Sequence, residues 1–118
     1  MQYLLLIYGT ESRWASQPAG EKEKITNEYG EYTKSIADSG HYRGGNELDV
    51  ILTAATVRVR DGKRVITDGP FAETKEQLGG YYLVEAKDRE EAISLAARIP
   101  SARWGSIEVR PIIPHQMP

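Results

Sequence analysis

The sequence predicts an α+β fold of the ferredoxin-like kind: a two-layer sandwich with a βαββαβ core and an extra hairpin. Three observations carry that expectation. The run Tyr3 to Tyr8 is apolar on both alternating faces and stops at Gly9, which marks a central strand covered on both sides. Two stretches show helical apolar spacing, Ile25, Tyr29, Tyr32 and Ile36 in the first half and Ala92, Leu95, Ala96 and Ile99 in the second. Four short extended runs lie between them and one follows, each bounded by glycine, proline or aspartate. At 118 residues the chain is sized for one domain spanning 1–118.

The elements follow in order. Gly9 to Gly20 reads as a loop, because Ser12, Ser16, Pro18 and Gly20 are breakers. Trp14 within it is expected to fold back over a core edge. Glu21 to Ser39 reads as a helix with its charged face outward, and Gly40 supplies a left-handed stop. Gly30 inside that helix suggests close packing against a neighbour. His41 to Asp49 is extended through Gly44-Gly45. Thr53 to Arg60 alternates, with Ala55, Val57 and Val59 on one face and Thr56, Arg58 and Arg60 on the other. Asp61-Gly62-Lys63 is a hairpin turn, and Arg64 to Thr67 returns as the partner strand.

Ala72 to Leu78 is polar and expected to be irregular, with Tyr81 to Ala86 as the next strand. Asp88 caps a second helix, and Glu91 stands three residues on at capping-box spacing. Pro100 ends that helix, and Ser106 to Ile112 forms the last strand. The tail from Pro114 to Pro118 is expected to fray or to serve at a contact. Two helices cover only one face of such a sheet. The doubly apolar first strand therefore implies a second sheet on the bare face, supplied most simply by another copy of the chain in a sheet-to-sheet homodimer.

Composition excludes several classes. There are 15 basic and 17 acidic residues, a net charge of -2, so no phosphate-neutralising excess marks a nucleic-acid domain. The absence of cysteine removes a disulfide scaffold, a thiolate zinc site and a cysteine nucleophile. His41 and His115 are the only histidines and have no metal-ligand spacing, so no metal and no cofactor are expected. The N-terminal run lacks a basic leader and is too short to span a bilayer, so a cytoplasmic protein without membrane contact is expected. Gly44-Gly45 and Gly79-Gly80 fit no phosphate-binding pattern and are expected to mark close backbone approach. Tyr8, Tyr81 and Tyr82 are expected in the core or at the dimer interface.

The most informative stretch is Thr67-Asp68-Gly69-Pro70-Phe71-Ala72-Glu73-Thr74-Lys75-Glu76-Gln77-Leu78-Gly79-Gly80-Tyr81-Tyr82-Leu83-Val84-Glu85-Ala86. It resembles the signature of the DGPF group of the YCII-related (YciI-like) family. The resemblance extends to Tyr3-Leu4-Leu5-Leu6-Ile7-Tyr8-Gly9, to Thr56-Val57-Arg58-Val59-Arg60-Asp61-Gly62 and to Ile107-Glu108-Val109-Arg110-Pro111. It implies a ferredoxin-like fold and a dimer of the α+β barrel type. It also implies a function largely unassigned, in a superfamily that includes lyases, isomerases and cofactor-free oxygenases, with genes often near alternative sigma factors. YciI-like relatives are thought to use a His-Asp pair in a cleft beside the sheet. The resemblance places the aspartate on Asp68. The histidine's position on the first helix, eleven residues before the glycine that ends it, is held here by Tyr29. A phenol is a poor base at neutral pH but a good hydrogen-bond donor.

Asp68 has two readings. Aspartate before Gly-Pro is a common turn residue whose side chain bonds backbone N–H groups two residues on, with Phe71 then plugging the core. A strained turn at a strand end also presents a carboxylate well. On the second reading Asp68 rims a small-molecule cleft, with Gly69, Pro70 and Phe71 beside it and Lys75 in a lid that meets an anionic group. The expected function is an uncharacterised small-ligand binder. The alternatives are a cofactor-free lyase or isomerase on a small organic substrate, and a non-catalytic regulatory module linked to a sigma factor.

Overall fold

Strand β1 (Gln2–Gly9) lies in the middle of the sheet, as its doubly apolar sequence requires. The computed structural model describes residues 1–115; Gln116 to Pro118, part of the tail expected to fray, lie outside them. After a short helix α1 (Glu11–Ala15) comes the long helix α2 (Ala19–Asp38) and strand β2 (Tyr42–Glu47). A hairpin of β3 (Ala55–Arg60) and β4 (Lys63–Asp68) follows. Then come β5 (Gln77–Glu85), α3 (Arg89–Ala97) and β6 (Ser106–Pro111). The main sheet is antiparallel in the order β2-β5-β1-β6. An α+β chain with this antiparallel sheet and three helices is consistent with a ferredoxin-like fold.

Strand alternation divides the sheet into two unlike faces. Tyr3 and Leu5 of β1 and Tyr82 and Val84 of β5 are buried under the helices. They meet Ile36 and Tyr32 from α2 and Ala92, Leu95 and Ala96 from α3. The Tyr32 hydroxyl donates to the Leu95 carbonyl at 2.8 Å, which ties the two helices together. Its ring meets Tyr82 edge-on at 5.2 Å, and the Tyr82 hydroxyl pairs with Thr33 Oγ1 at 2.6 Å. Both buried phenols thus keep a polar partner, as burial of a tyrosine demands. Leu4, Leu6 and Leu83 alternate onto the opposite face, half-buried by their sheet neighbours.

The caps follow the sequence. Helix α2 ends in a Schellman motif: Gly40 takes φ 83°, the His41 N–H donates to the Ile36 carbonyl at 2.9 Å and the Gly40 N–H to Ala37 at 3.1 Å. Asp88 accepts the Glu91 N–H at 2.9 Å. Glu91 reaches back to the Lys87 N–H at 3.1 Å, one residue before the cap, so the capping box is shifted by one donor. At the hairpin tip Asp61 (φ 52°) and Gly62 (φ 73°) are both left-handed, the backbone of a tight type I′ turn.

Several expectations are corrected. The segment 9–20 is not all loop, because Glu11–Ala15 forms a helical turn in which Trp14 is exposed, with Lys22 over its ring at 5.9 Å. Strand β5 begins at Gln77 rather than Tyr81, because it pairs with β1 down to Gly9. Gly79-Gly80 therefore lies inside the strand. Gly30 packs against nothing: a Cβ there would meet no atom within 4 Å. Phe71 does not plug the core and is 79% exposed. Close approach does hold at Gly45, where a Cβ would sit 2.9 Å from the Tyr82 ring, and at Gly80, where it would sit 2.9 Å from the Asn46 carbonyl. Tyr82 is in the core as expected, whereas Tyr8 and Tyr81 sit at half-buried positions bonded to Glu108 and Asn46.

The hairpin pairs only with itself, as a separate two-stranded sheet. It leaves the chain extended, with a radius of gyration of 16.5 Å against about 13–14 Å for a compact chain of this length.

Two glycine substitutions separate these environments. Gly30→Ala should raise stability by about 0.5–1 kcal/mol, because the site is open and helical. Gly80→Ala should lower it by about 1–3 kcal/mol, because the Asn46 backbone has to move. Chemical denaturation measures both, and equal effects of the two changes would contradict the assignment.

Candidate functional site

The Asp68 turn is built at the foot of the hairpin. Asp68 is the last residue of β4 and pairs with Ala55. The next residue, Gly69, takes φ 95°, a conformation that favours glycine. Its N–H donates to the Ala54 carbonyl at 2.7 Å, and Thr56 Oγ1 donates to the Gly69 carbonyl at 2.8 Å. These bonds hold the turn without the Asp68 side chain, which accepts no hydrogen bond and joins no ion pair among the described residues. The acceptor role expected of Asp68 is not filled, since the residue two on is Pro70, which has no N–H; Thr56 instead donates to the carbonyl of the turn. Asp68, Pro70, Phe71 and Lys75 are all exposed, and Gly69 is half-buried.

The foot of the hairpin is fixed to the body. The Ile51 N–H donates to Glu11 Oε2 at 2.9 Å. The Glu11 N–H donates to Gln77 Oε1 at 2.9 Å, and the Leu48 N–H to the Gly79 carbonyl at 2.8 Å. These bonds hold the segment that leads into β3 against α1 and β5.

Tyr29 lies elsewhere. Its hydroxyl hydrogen-bonds the Ser101 hydroxyl, and its ring packs at the margin of the core. Burial pushes its phenol above the usual value, partly offset by the bond to Ser101. Tyr29 is therefore a protonated phenol and not a base at neutral pH. No hydrogen bond joins it to Asp68.

Two shallow concavities occur on the helical side. One, of about 310 Å³, is lined by Glu28, Ser35, Arg98 and Arg103, with Arg103 paired to Glu28 at 2.7 Å. The other, of about 360 Å³, is lined by Lys87, Asp88, Glu90 and Glu91. Neither is lined by Asp68, Tyr29 or Lys75. Among the described residues no group of three or more His, Asp or Glu could hold a metal ion, and no helix is long and apolar enough to cross a membrane.

One cluster had no sequence signal. His41 Nδ1 meets Ser39 Oγ at 2.7 Å and Nε2 meets Glu91 Oε1 at 3.1 Å. The ionised carboxylate accepts only, so Nε2 carries the proton that faces it. The Lys87 N–H, and then His41, hold the Glu91 carboxyl below its usual range. Ser39 Oγ also lies 3.1 Å from the Ile36 carbonyl. The cluster therefore pins the end of α2 to the start of α3. Its members stand fifty residues apart in the chain, a spacing no local pattern reveals. Likewise Arg13 and Arg103 both stack on Trp104, at 4.9 and 5.0 Å, tying α1 to the segment before β6.

The model of the YCII-related domain matches residues 1–116. The chain belongs to the YCII-related family. An uncharacterized protein of Rhizobium meliloti (strain 1021) is 34% identical over 114 residues, covering 95% of this chain and 92% of that protein. The YCII-related domain therefore accounts for the main sheet, the helices and the hairpin alike.

The tyrosines give a test of the electrostatics. Burial raises Tyr29, Tyr32 and Tyr82 above the ordinary phenol value. A group raised in the folded state stabilises fully below the unfolded value of about 10 and loses that contribution as pH climbs through the folded one. In an alkaline absorbance titration, no more than four of the seven tyrosines should ionise before the circular dichroism signal of the fold is lost. Ionisation of all seven in an intact fold would refute the burial of this trio.

Proposed function

We propose that this YCII-related protein is a homodimeric small-molecule binder whose recognition point is the Asp68 turn. The observation that carries the reading is the Asp68 carboxylate, presented at a strand end by backbone bonds and by Thr56 while it spends none of its own acceptors. A carboxylate so placed suits a ligand with hydroxyl, phenol or other N–H and O–H donors. Gly69 and Pro70 set its direction, the exposed Phe71 ring offers an apolar contact, and Lys75 supplies a positive charge in the same loop. The dimer is supported by the sheet itself. Leu4, Leu6 and Leu83 face away from both long helices, and a second sheet is the cover that such a face takes. Binding fits better than proton abstraction, because Tyr29, at the position where the family places a histidine, is a protonated phenol engaged with Ser101.

A thermal-shift screen of the wild type and Asp68→Asn against small phenols, carboxylates and lactones tests this. A ligand at about 100 times its Kd adds roughly 2.7 kcal/mol, a rise of several degrees for a chain of this size. The expected result is a shift that Asp68→Asn abolishes while its own unliganded melting temperature stays within a degree or so. A shift that survives in the variant would remove Asp68 from the site.

A further inference from the structure

Eight of the eleven exposed large hydrophobic residues among those described fall between Leu48 and Phe71, at 41% to 86% exposure. Four of them, Val57, Val59, Val65 and Ile66, lie on the hairpin strands themselves, with Val57, Val59 and Ile66 on one face and Val65 on the other. An isolated two-stranded hairpin is marginal in water, and here only the segment that leads into it, at Ile51, is bonded to the body, through Glu11.

Its two faces differ. Register places Ala55 opposite Asp68, Val57 opposite Ile66 and Val59 opposite Arg64, all six on one face. From foot to tip that face reads acidic, apolar, basic. The other face carries Thr56, Thr67, Arg58, Val65, Arg60 and Lys63. The first pattern is complementary to itself when reversed. Two copies related by a two-fold axis through the Val57–Ile66 pair would set apolar centre on apolar centre and opposite charges at both ends.

We propose that the β3–β4 hairpin is an arm that clasps the same arm of a second copy, with Asp68 facing Arg64 of the partner subunit. This rests on the homodimer and on Asp68 as the recognition point, and adds that the site is incomplete in one chain. Because Asp68 shares its face with Val57 and Ile66, a partner that covers those side chains also closes over the carboxylate. A ligand at the turn then meets a carboxylate from one chain and a guanidinium from the other. Four strand rises, about 13 Å, separate Asp68 from its own Arg64, so the pair forms only between chains.

Sedimentation equilibrium of charge-reversed variants tests the arm, because its residues lie outside the core and circular dichroism checks each fold. Arg64→Asp and Asp68→Arg should each weaken self-association at least tenfold, since each sets like charges together. The double variant should return to within about threefold of the wild type. An equimolar mixture of the two single variants should form a heterodimer of near wild-type strength, which no effect within one chain produces. Singles that associate like the wild type, or a mixture that does not recover, would overturn the arm contact. Leu6→Lys on the bare sheet face separates the two levels. If it alone gives monomers, the homodimer stands and the arm proposal falls; if the wild type is itself a monomer, the homodimer reading fails as well.

Discussion

Helices α2 and α3 lie on the same face of a four-stranded sheet. That constraint organises the rest of the molecule. Every strand must send alternate side chains to a face the helices do not reach, and β1 sends leucines there. The helical side is correspondingly well finished. Tyr32 joins α2 to α3 through the Leu95 carbonyl and leans on Tyr82, while Tyr82 lies over Gly45 where no Cβ fits. Removing bulk at Leu5 or Ile36, both fully buried, would open a cavity costing about 2–5 kcal/mol.

Much of this was legible in the sequence because it depends on short-range periodicity. The apolar stripes of α2 and α3, the Gly40 stop, the Asp88 cap and the Asp61-Gly62 turn each lie within a few residues of their causes. The errors have a common origin. Phe71 as a core plug and Trp14 over a core edge are the expectations that fail, because what buries an aromatic ring is a neighbour far along the chain. Glycine is costly within a helix, which points to a packing partner at Gly30; the structure gives it open space. Gly79-Gly80 reads as a breaker in sequence, which hides the true start of β5. The strand is continued through the glycines by pairing with β1 and by the tight passage of Asn46 past Gly80.

The candidate site was legible to a different degree. Asp68, Gly69 and Pro70 announce a turn by composition, and they form one. The bond from the Thr56 hydroxyl to the Gly69 carbonyl that clasps the turn is hidden, because it needs the β3–β4 register. So is the partnership of Tyr29 with Ser101, seventy-two residues away. The His41–Glu91 link was hidden for the same reason, although Glu91 had already been recognised for its capping role.

The strand order also bears on synthesis. Strand β1 leaves the ribosome before the other five strands, and its two sheet neighbours, β5 and β6, follow all the rest. Until residues beyond 77 have emerged, its apolar run has no sheet partner, and the sheet cannot close around it before β6 is made. Such a topology is one of high contact order, slow to complete and exposed to wrong pairings while it waits. The hairpin is the opposite case, since its strands are joined by a two-residue turn and need nothing else to register. The nascent chain can therefore register its ribbon locally while the apolar strand still waits, and chaperone demand should fall on the strand.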